Sequence, residues 1–154
     1  MKTTYSQIKP FITLDGSEIR ELMHPHVHGN RQQSLAVATV APGQSTQLHR
    51  HRTTEEIYHF TAGSGRMQLG EQEFVVAAGE AANAPSLARG PRLDSGMESR
   101  ATVQGRTGSG FDPIGDTVCV PPGTAHCLHN TGQEPLRLLC SCSPPYSDTD
   151  TELL

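Results

Sequence analysis

A chain of 154 residues is long enough to bury a core and too short for two typical domains, so residues 1–154 are read as one domain. A formal net charge of −4, with two lysines against ten arginines, argues against an extended nucleic-acid surface. No apolar run reaches the roughly eighteen residues of a membrane span. MKTTYSQIKPF has no apolar stretch before a small-residue cleavage site, which predicts no signal peptide, no membrane partner and a cytoplasmic protein.

Residues 1 to 14 open as a short strand-like segment in which Ile8, Phe11, Ile12 and Leu14 are apolar. EIREL is ambiguous: Ile19 and Leu22 have helical spacing, but Pro25 allows at most a turn or two. His24, His26 and His28 follow at alternate positions, and Pro25 and Gly29 mark them as a polar loop, a pocket rim or adventitious metal binding being the alternative. RQQSLAVATVAPG is a clear strand with Leu35, Val37 and Thr39 on one face and Ala36, Ala38 and Val40 on the other, ending at Pro42 and Gly43.

The stretch from Gly43 to Gly63, GQSTQLHRHRTTEEIYHFTAG, carries the chemistry. His49 and His51 are one strand period apart, so both imidazoles face the same side. RTTE is too polar to continue an apolar strand and reads as a turn, which places Glu56 on the returning strand, facing the same cavity. Imidazole nitrogens plus a carboxylate oxygen are donors that borderline metals such as zinc, manganese, iron or nickel accept. Tyr58 and Phe60 share the side of Glu56, as wall and floor of the cavity. Tyr58 has a hydroxyl that needs a partner if buried, which makes it a candidate to touch substrate or water. His59 faces the other way.

GSGRMQLGEQEFVVAAGE looks like a hairpin, Arg66 to Leu69 and Glu73 to Ala77 about a turn at Gly70. Arg66 and Gln68 alternate with Met67 and Leu69, and the pattern leaves open which pair faces the core. Residues 78–110, rich in Gly, Ala, Ser and Arg, read as an insertion beside the cavity mouth. Its Arg89, Arg92, Arg100 and Arg106 suit carboxylate or phosphate groups, with a solvent loop as the alternative.

GDTVCVPPGTAHCLHN, from Gly115 to Asn130, turns at PPG into a strand bearing one more imidazole, His126. Leu128 shares its face, and Cys127 and His129 lie opposite. LRLLCSC is the closing strand, with Leu136, Leu138, Cys140 and Cys142 on one face. The cysteines lack the two-to-four-residue gap of a zinc knuckle and read as buried apolar fillers, a redox or second metal role being the alternative. SPPYSDTDTELL is polar and should lie across the surface or fray, with Tyr146 a possible anchor.

These motifs resemble those of the cupins, in particular small single-domain cupins of bacterial type. Gly43, His49, His51, Glu56 and Gly63 fit the first cupin motif, and Gly115, Pro121, Gly123, His126 and Asn130 fit the second. The resemblance covers about residues 35–142, with an inter-motif segment longer than usual. It implies an all-β fold, a cupin-like double-stranded β-helix (jelly-roll) barrel, with a divalent transition metal (Fe, Mn, Ni or Zn) on His49, His51, Glu56 and His126. It also implies a homodimer, with the N-terminal strand crossing to the partner's sheet.

The function expected is a metal-dependent enzyme acting on a small-molecule substrate that is partly apolar or anionic, an iron-dependent dioxygenase ahead of a sugar or hydroxy-acid isomerase or epimerase. A non-catalytic small-molecule-binding protein is the alternative, and a purely structural barrel the least favoured class. The candidate catalytic residues are Glu56, Tyr58 and Arg66, Glu56 serving either as a ligand or, displaced, as a base.

Overall fold

The computed structural model describes residues 1–79 and 115–154. Eleven strands are described: β1 (Phe11–Ile12), β2 (Glu18–Met23), β3 (Ser34–Val40), β4 (His49–His51), β5 (Glu55–Ala62), β6 (Ser64–Leu69), β7 (Gln72–Ala77), β8 (Thr117–Val120), β9 (His126–His129), β10 (Leu136–Ser143) and β11 (Thr151–Leu153). EIREL is strand, not helix. The histidine run beyond it is a single helical turn, α1 (Pro25–His28), closed by Gly29 in the left-handed conformation.

The strands form two sheets, in the orders β1-β2-β3-β10-β5-β8 and β11-β4-β9-β6-β7. Both are open, so the closed jelly-roll barrel expected from the motifs is corrected to a two-sheet sandwich. Closure needs a continuous ladder from one sheet to the next. Where β7 approaches the other sheet, a side chain stands in for that ladder. Asp116 donates its backbone N–H to Ala77 O at 2.9 Å, and its carboxylate accepts the Ala77 N–H at 2.8 Å.

Period-two patterning sets the core between the sheets. β10, antiparallel to both β3 and β5, turns Leu136, Leu138, Cys140 and Cys142 inward. Phe60, Met67, Leu136 and Leu138 are fully buried, joined by Val40, Val76, Val120 and Leu128. The expected hairpin is present, with Leu69 opposite Gln72 and Gly70 at positive φ. Within it Met67 meets the core and Arg66 the solvent. Tight backbone approaches explain two motif glycines. A Cβ on Gly63, itself at φ 76°, would lie 2.8 Å from Pro135 O, and one on Gly115 would collide with Phe60 O.

Both chain ends form edge strands. β1 pairs with β2 of its own chain, Phe11 opposite Ile19, at the sheet edge. The C-terminal segment does not fray: β11 pairs with β4, placing Thr151 opposite His51 and Leu153 opposite His49. Asp150 accepts the backbone N–H groups of Thr53 and Thr54 at 3.0 Å, latching the β4–β5 turn. The proposed insertion at 78–110, with its four arginines, lies outside the described residues apart from Ala78 and Gly79.

Candidate metal centre

The two sheets contribute different donors to one point. β4 supplies His49 and His51, and its neighbour β9 supplies His126, with His49 directly opposite His126. β5, in the facing sheet, supplies Glu56 and Tyr58. His49, His51, Glu56 and His126 are all 3% exposed or less, and one donor atom from each lies within 4.8 Å of the others. Glu56 Oε2 is 3.2 Å from His51 Nε2 and 3.1 Å from His126 Nε2.

The outer ring nitrogens fix the tautomers. His49 Nδ1 donates to Gln47 O at 2.8 Å, and His126 Nδ1 to Thr124 O at 3.0 Å. Thr151 Oγ1 donates to Ser147 O at 3.1 Å, so its lone pairs are left for His51 Nδ1–H at 3.2 Å. When the rings are neutral with Nδ1 protonated, as metal binding requires, three Nε2 lone pairs converge beside the carboxylate, whereas without a metal an Nε2 proton of His51 donates to Glu56 instead. A set of lone pairs closing on one point in a buried site is complementary to a cation and costly without one. Contacts of 3.1–3.2 Å between donors also suit ligands held at about 2.0–2.2 Å around a transition metal. The residues present therefore fit a divalent transition metal.

The protonation of the cluster carries the same mark. Burial acts to raise the carboxyl pKa of Glu56, but hydrogen bonds from His126 and His51 together outweigh it and hold the group well below the usual range. For His51, burial acts to lower the pKa, yet the hydrogen bond and charge of Glu56 leave it raised above 6.5. His49 is lowered, first by burial and then by the neighbouring His126. Tyr58 is buried beside the carboxylate, so its hydroxyl is pushed well above its ordinary pKa and stays a donor. It donates to Glu56 Oε2 at 2.9 Å and lies 3.3 Å from His126 Nε2.

The sequence-derived site residues divide cleanly. His49, His51, Glu56, His126 and Tyr58 converge. Arg66 does not: its side chain is 47% exposed and pairs with Glu73 at 3.4 Å, outside the cluster. His129 turns outward to Ser45 Oγ at 2.7 Å, as the strand period required. Asn130 is fully buried and structural, donating to Val40 O and Glu134 O and accepting from Gly132 N–H.

Four residues were not placed at this site by the sequence. Thr151 orients His51 from a segment expected to lie across the surface or fray. Tyr146 packs its ring edge-on to His51, with centroids 5.8 Å apart. Cys140 and Cys142, expected to be passive fillers, place Sγ 3.3 Å from Glu56 Oε1. The alternation of LRLLCSC gave their shared face, but their placement beside Glu56 depends on the β5–β10 register, which alternation alone does not set.

The donors line a cavity of about 60 Å³. Its far side is apolar, with Ile19, Ala36, Ala38, Val40 and Leu138. Asp15 stands in the lining, its carboxylate accepting from the Thr13 and Ser17 hydroxyls at 2.6 and 2.9 Å.

A buried three-histidine, one-glutamate set held between two β-sheets defines a class, the β-sandwich proteins with an internal metal centre. Within that class this chain belongs to the cupin superfamily, and its residues 36–89 match the cupin domain family. It is 39% identical over its whole length to an uncharacterized protein of Methanocaldococcus jannaschii, MJ1618, spanning 94% of that protein. It is 27% identical over 119 residues to auxin-binding protein 1 of Arabidopsis thaliana, a match covering 77% of this chain and 46% of that one. A Thermotoga maritima structure described as a predicted oxalate decarboxylase superposes with a TM-score of 0.62 at 19% identity, covering 94% of this chain and 99% of that one.

Proposed function

We propose that the protein is a metal-dependent enzyme whose His49, His51, Glu56 and His126 hold one divalent transition metal and whose substrate is a small, partly apolar molecule. The observation that carries this reading is the convergence of three histidine Nε2 atoms and Glu56 Oε2 on the wall of a partly open cavity. A metal bound there supplies Lewis acidity, and iron would add redox chemistry with dioxygen. The chain's own residues do the rest. Ile19, Ala38, Val40 and Leu138 give an apolar bed that excludes water from the reacting end of the substrate. Tyr58, protonated and hydrogen-bonded to Glu56, is placed to donate to a substrate oxygen or to pass a proton to the Glu56 carboxylate. Among the described residues, the charged side chains lining the cavity are Asp15, Glu21 and Glu56. An anionic substrate group would therefore be received by the metal rather than by an arginine of this lining.

Iron-dependent oxygenation is the favoured chemistry, because the bed opposite the donors is apolar and suits an aromatic or partly apolar substrate better than a bare sugar. Elemental analysis of protein purified without an affinity tag tests the metal. Oxygen-electrode traces of iron-loaded protein with catechols, thiols and keto acids test the reaction. Oxygen uptake above that of free iron, abolished by Tyr58→Phe or Glu56→Gln, is expected. No uptake across the panel, with turnover of sugars under anaerobic conditions, would assign the site to isomerisation instead.

A second reading, a non-catalytic small-molecule-binding protein, is favoured by one observation. Apart from the four ligands, the proton donors on Glu56 are Tyr58, Cys140 and Cys142, and the cavity lining holds no further histidine, lysine or arginine among the described residues. Saturable ligand binding without turnover by metal-loaded protein would select that reading.

A further inference from the structure

The two oxygens of Glu56 face two separate sets of partners. Oε2 meets the histidine side, with His51 Nε2, His126 Nε2 and the Tyr58 hydroxyl. Oε1 meets sulfur: Cys140 Sγ and Cys142 Sγ each lie 3.3 Å away, and the two sulfurs are 3.5 Å apart. The register produces this arrangement. In the β5–β10 ladder Cys142 is directly opposite Glu56 and Cys140 opposite Tyr58, so all four side chains share the inner face. Both cysteines are buried, 8% and 3% exposed, and both border the cavity.

We propose that Cys140 and Cys142 form a thiol clamp that holds Glu56 Oε1 away from the metal, so that Glu56 ligates through Oε2 alone. The proposal rests on the histidine site being a metal site. Two S–H donors on one carboxylate oxygen oppose the rotation that would bring both oxygens onto the ion. Three imidazoles and a one-oxygen carboxylate leave two of six octahedral positions for substrate, whereas a two-oxygen carboxylate leaves one. The cysteine pair thereby sets how many substrate atoms the centre accepts.

The test is a cobalt(II) titration of the metal-free protein, followed by visible absorption and by competition with a chelator. It uses wild type, Cys140→Ser/Cys142→Ser, Cys140→Ala/Cys142→Ala and the two single alanine variants. Serine retains a donor and alanine does not. Wild type and the serine pair should give the same cobalt spectrum, because the coordination number is unchanged. The alanine pair should show a changed band shape and intensity and bind cobalt about tenfold more weakly, the loss typical when a partner that orients a ligand is removed. If the alanine pair does not fold, the single variants should show the same spectral change in part. Alanine variants identical to wild type in spectrum and affinity would overturn the clamp, as would a serine pair that behaves like alanine. A sulfur-to-cobalt charge-transfer band in wild type, lost in the serine pair, would make the thiols ligands and overturn it as well. Folded wild type that takes up no cobalt would instead remove the metal reading itself.

Discussion

Replacing His51 by alanine removes a neutral donor from the middle of the set, and the strands around it are held by apolar packing rather than by the ion. His51→Ala should therefore lose metal and activity together, as read by elemental analysis and turnover, with far-ultraviolet circular dichroism unchanged. Glu56→Gln keeps the volume and loses the charge, so it should weaken metal binding and, if Glu56 also moves protons, abolish turnover where metal remains. His129→Ala is the control, because His129 faces Ser45 outside the cluster. Retention of metal by His51→Ala and its loss from His129→Ala would reverse the ligand assignment. The same residues predict a pH dependence. His51 holds its proton more tightly folded than unfolded, so it stabilises the metal-free protein fully below its unfolded value of 6.5, and this is lost as pH rises through the raised folded value. Glu56 acts in the opposite sense, stabilising above its unfolded value of 4.5 and losing that contribution as pH falls through its depressed folded value. The pair thus supports the metal-free protein best between about 4.5 and 6.5. Metal displaces the proton, so the gap in Tm between metal-loaded and chelator-treated protein should widen from pH 5.5 (about) to about pH 8. A gap that narrows over this range would contradict the pairing.

At the scale of elements, the site depends on a short strand held from both sides. β4 has three residues and meets β9 through the single pair His49 and His126, so most of its pairing comes from β11 on its other edge. Glu152 of β11 binds Arg50 at 2.7 Å and Arg52 at 2.6 Å, and Asp150 latches the turn that follows. These contacts are exposed, and exposed ion pairs contribute little stability singly. Their effect is to fix the strand's position. Thr151→Val keeps the shape of the side chain but removes the hydroxyl that orients His51 Nδ1–H. A metal affinity about tenfold lower, measured by chelator competition, is the expected result. Unchanged affinity would show that β4 orients His51 without help from β11.

At the scale of the molecule, the question is what covers the sheet edges. Tyr5, Phe11, Ile12 and Leu14 are exposed near the β1 edge, and Leu153 and Leu154 at the other sheet's edge. Exposed strand edges with apolar side chains invite pairing with another chain. A homodimer is expected from light scattering at micromolar concentration, and Ile12→Lys should shift it to monomer. A monomer mass for the unaltered chain would end this prediction. No helix among the described residues is long and apolar enough to cross a membrane.

Much of the site was legible in the sequence because its chemistry is written at short range. The two-residue step from His49 to His51, the polar turn before Glu56, and the turn before His126 each follow from local backbone geometry. So do the shared face of Glu56, Tyr58 and Phe60 and the outward turn of His129, since strand alternation needs no knowledge of partners. What only the tertiary structure decided depends on which strand lies beside which. Alternation left Arg66 and Met67 as equal candidates for the interior, and packing between the sheets chose Met67. The polarity of SDTDTEL suggested a segment lying across the surface or fraying, whereas pairing with β4 made it a strand that supports a ligand. Periodicity shows that a strand has two faces, and the distant ladder contacts decide what each face meets. For that reason the sheets remained open against expectation, and two cysteines expected to be inert fillers lie within hydrogen-bonding distance of Glu56.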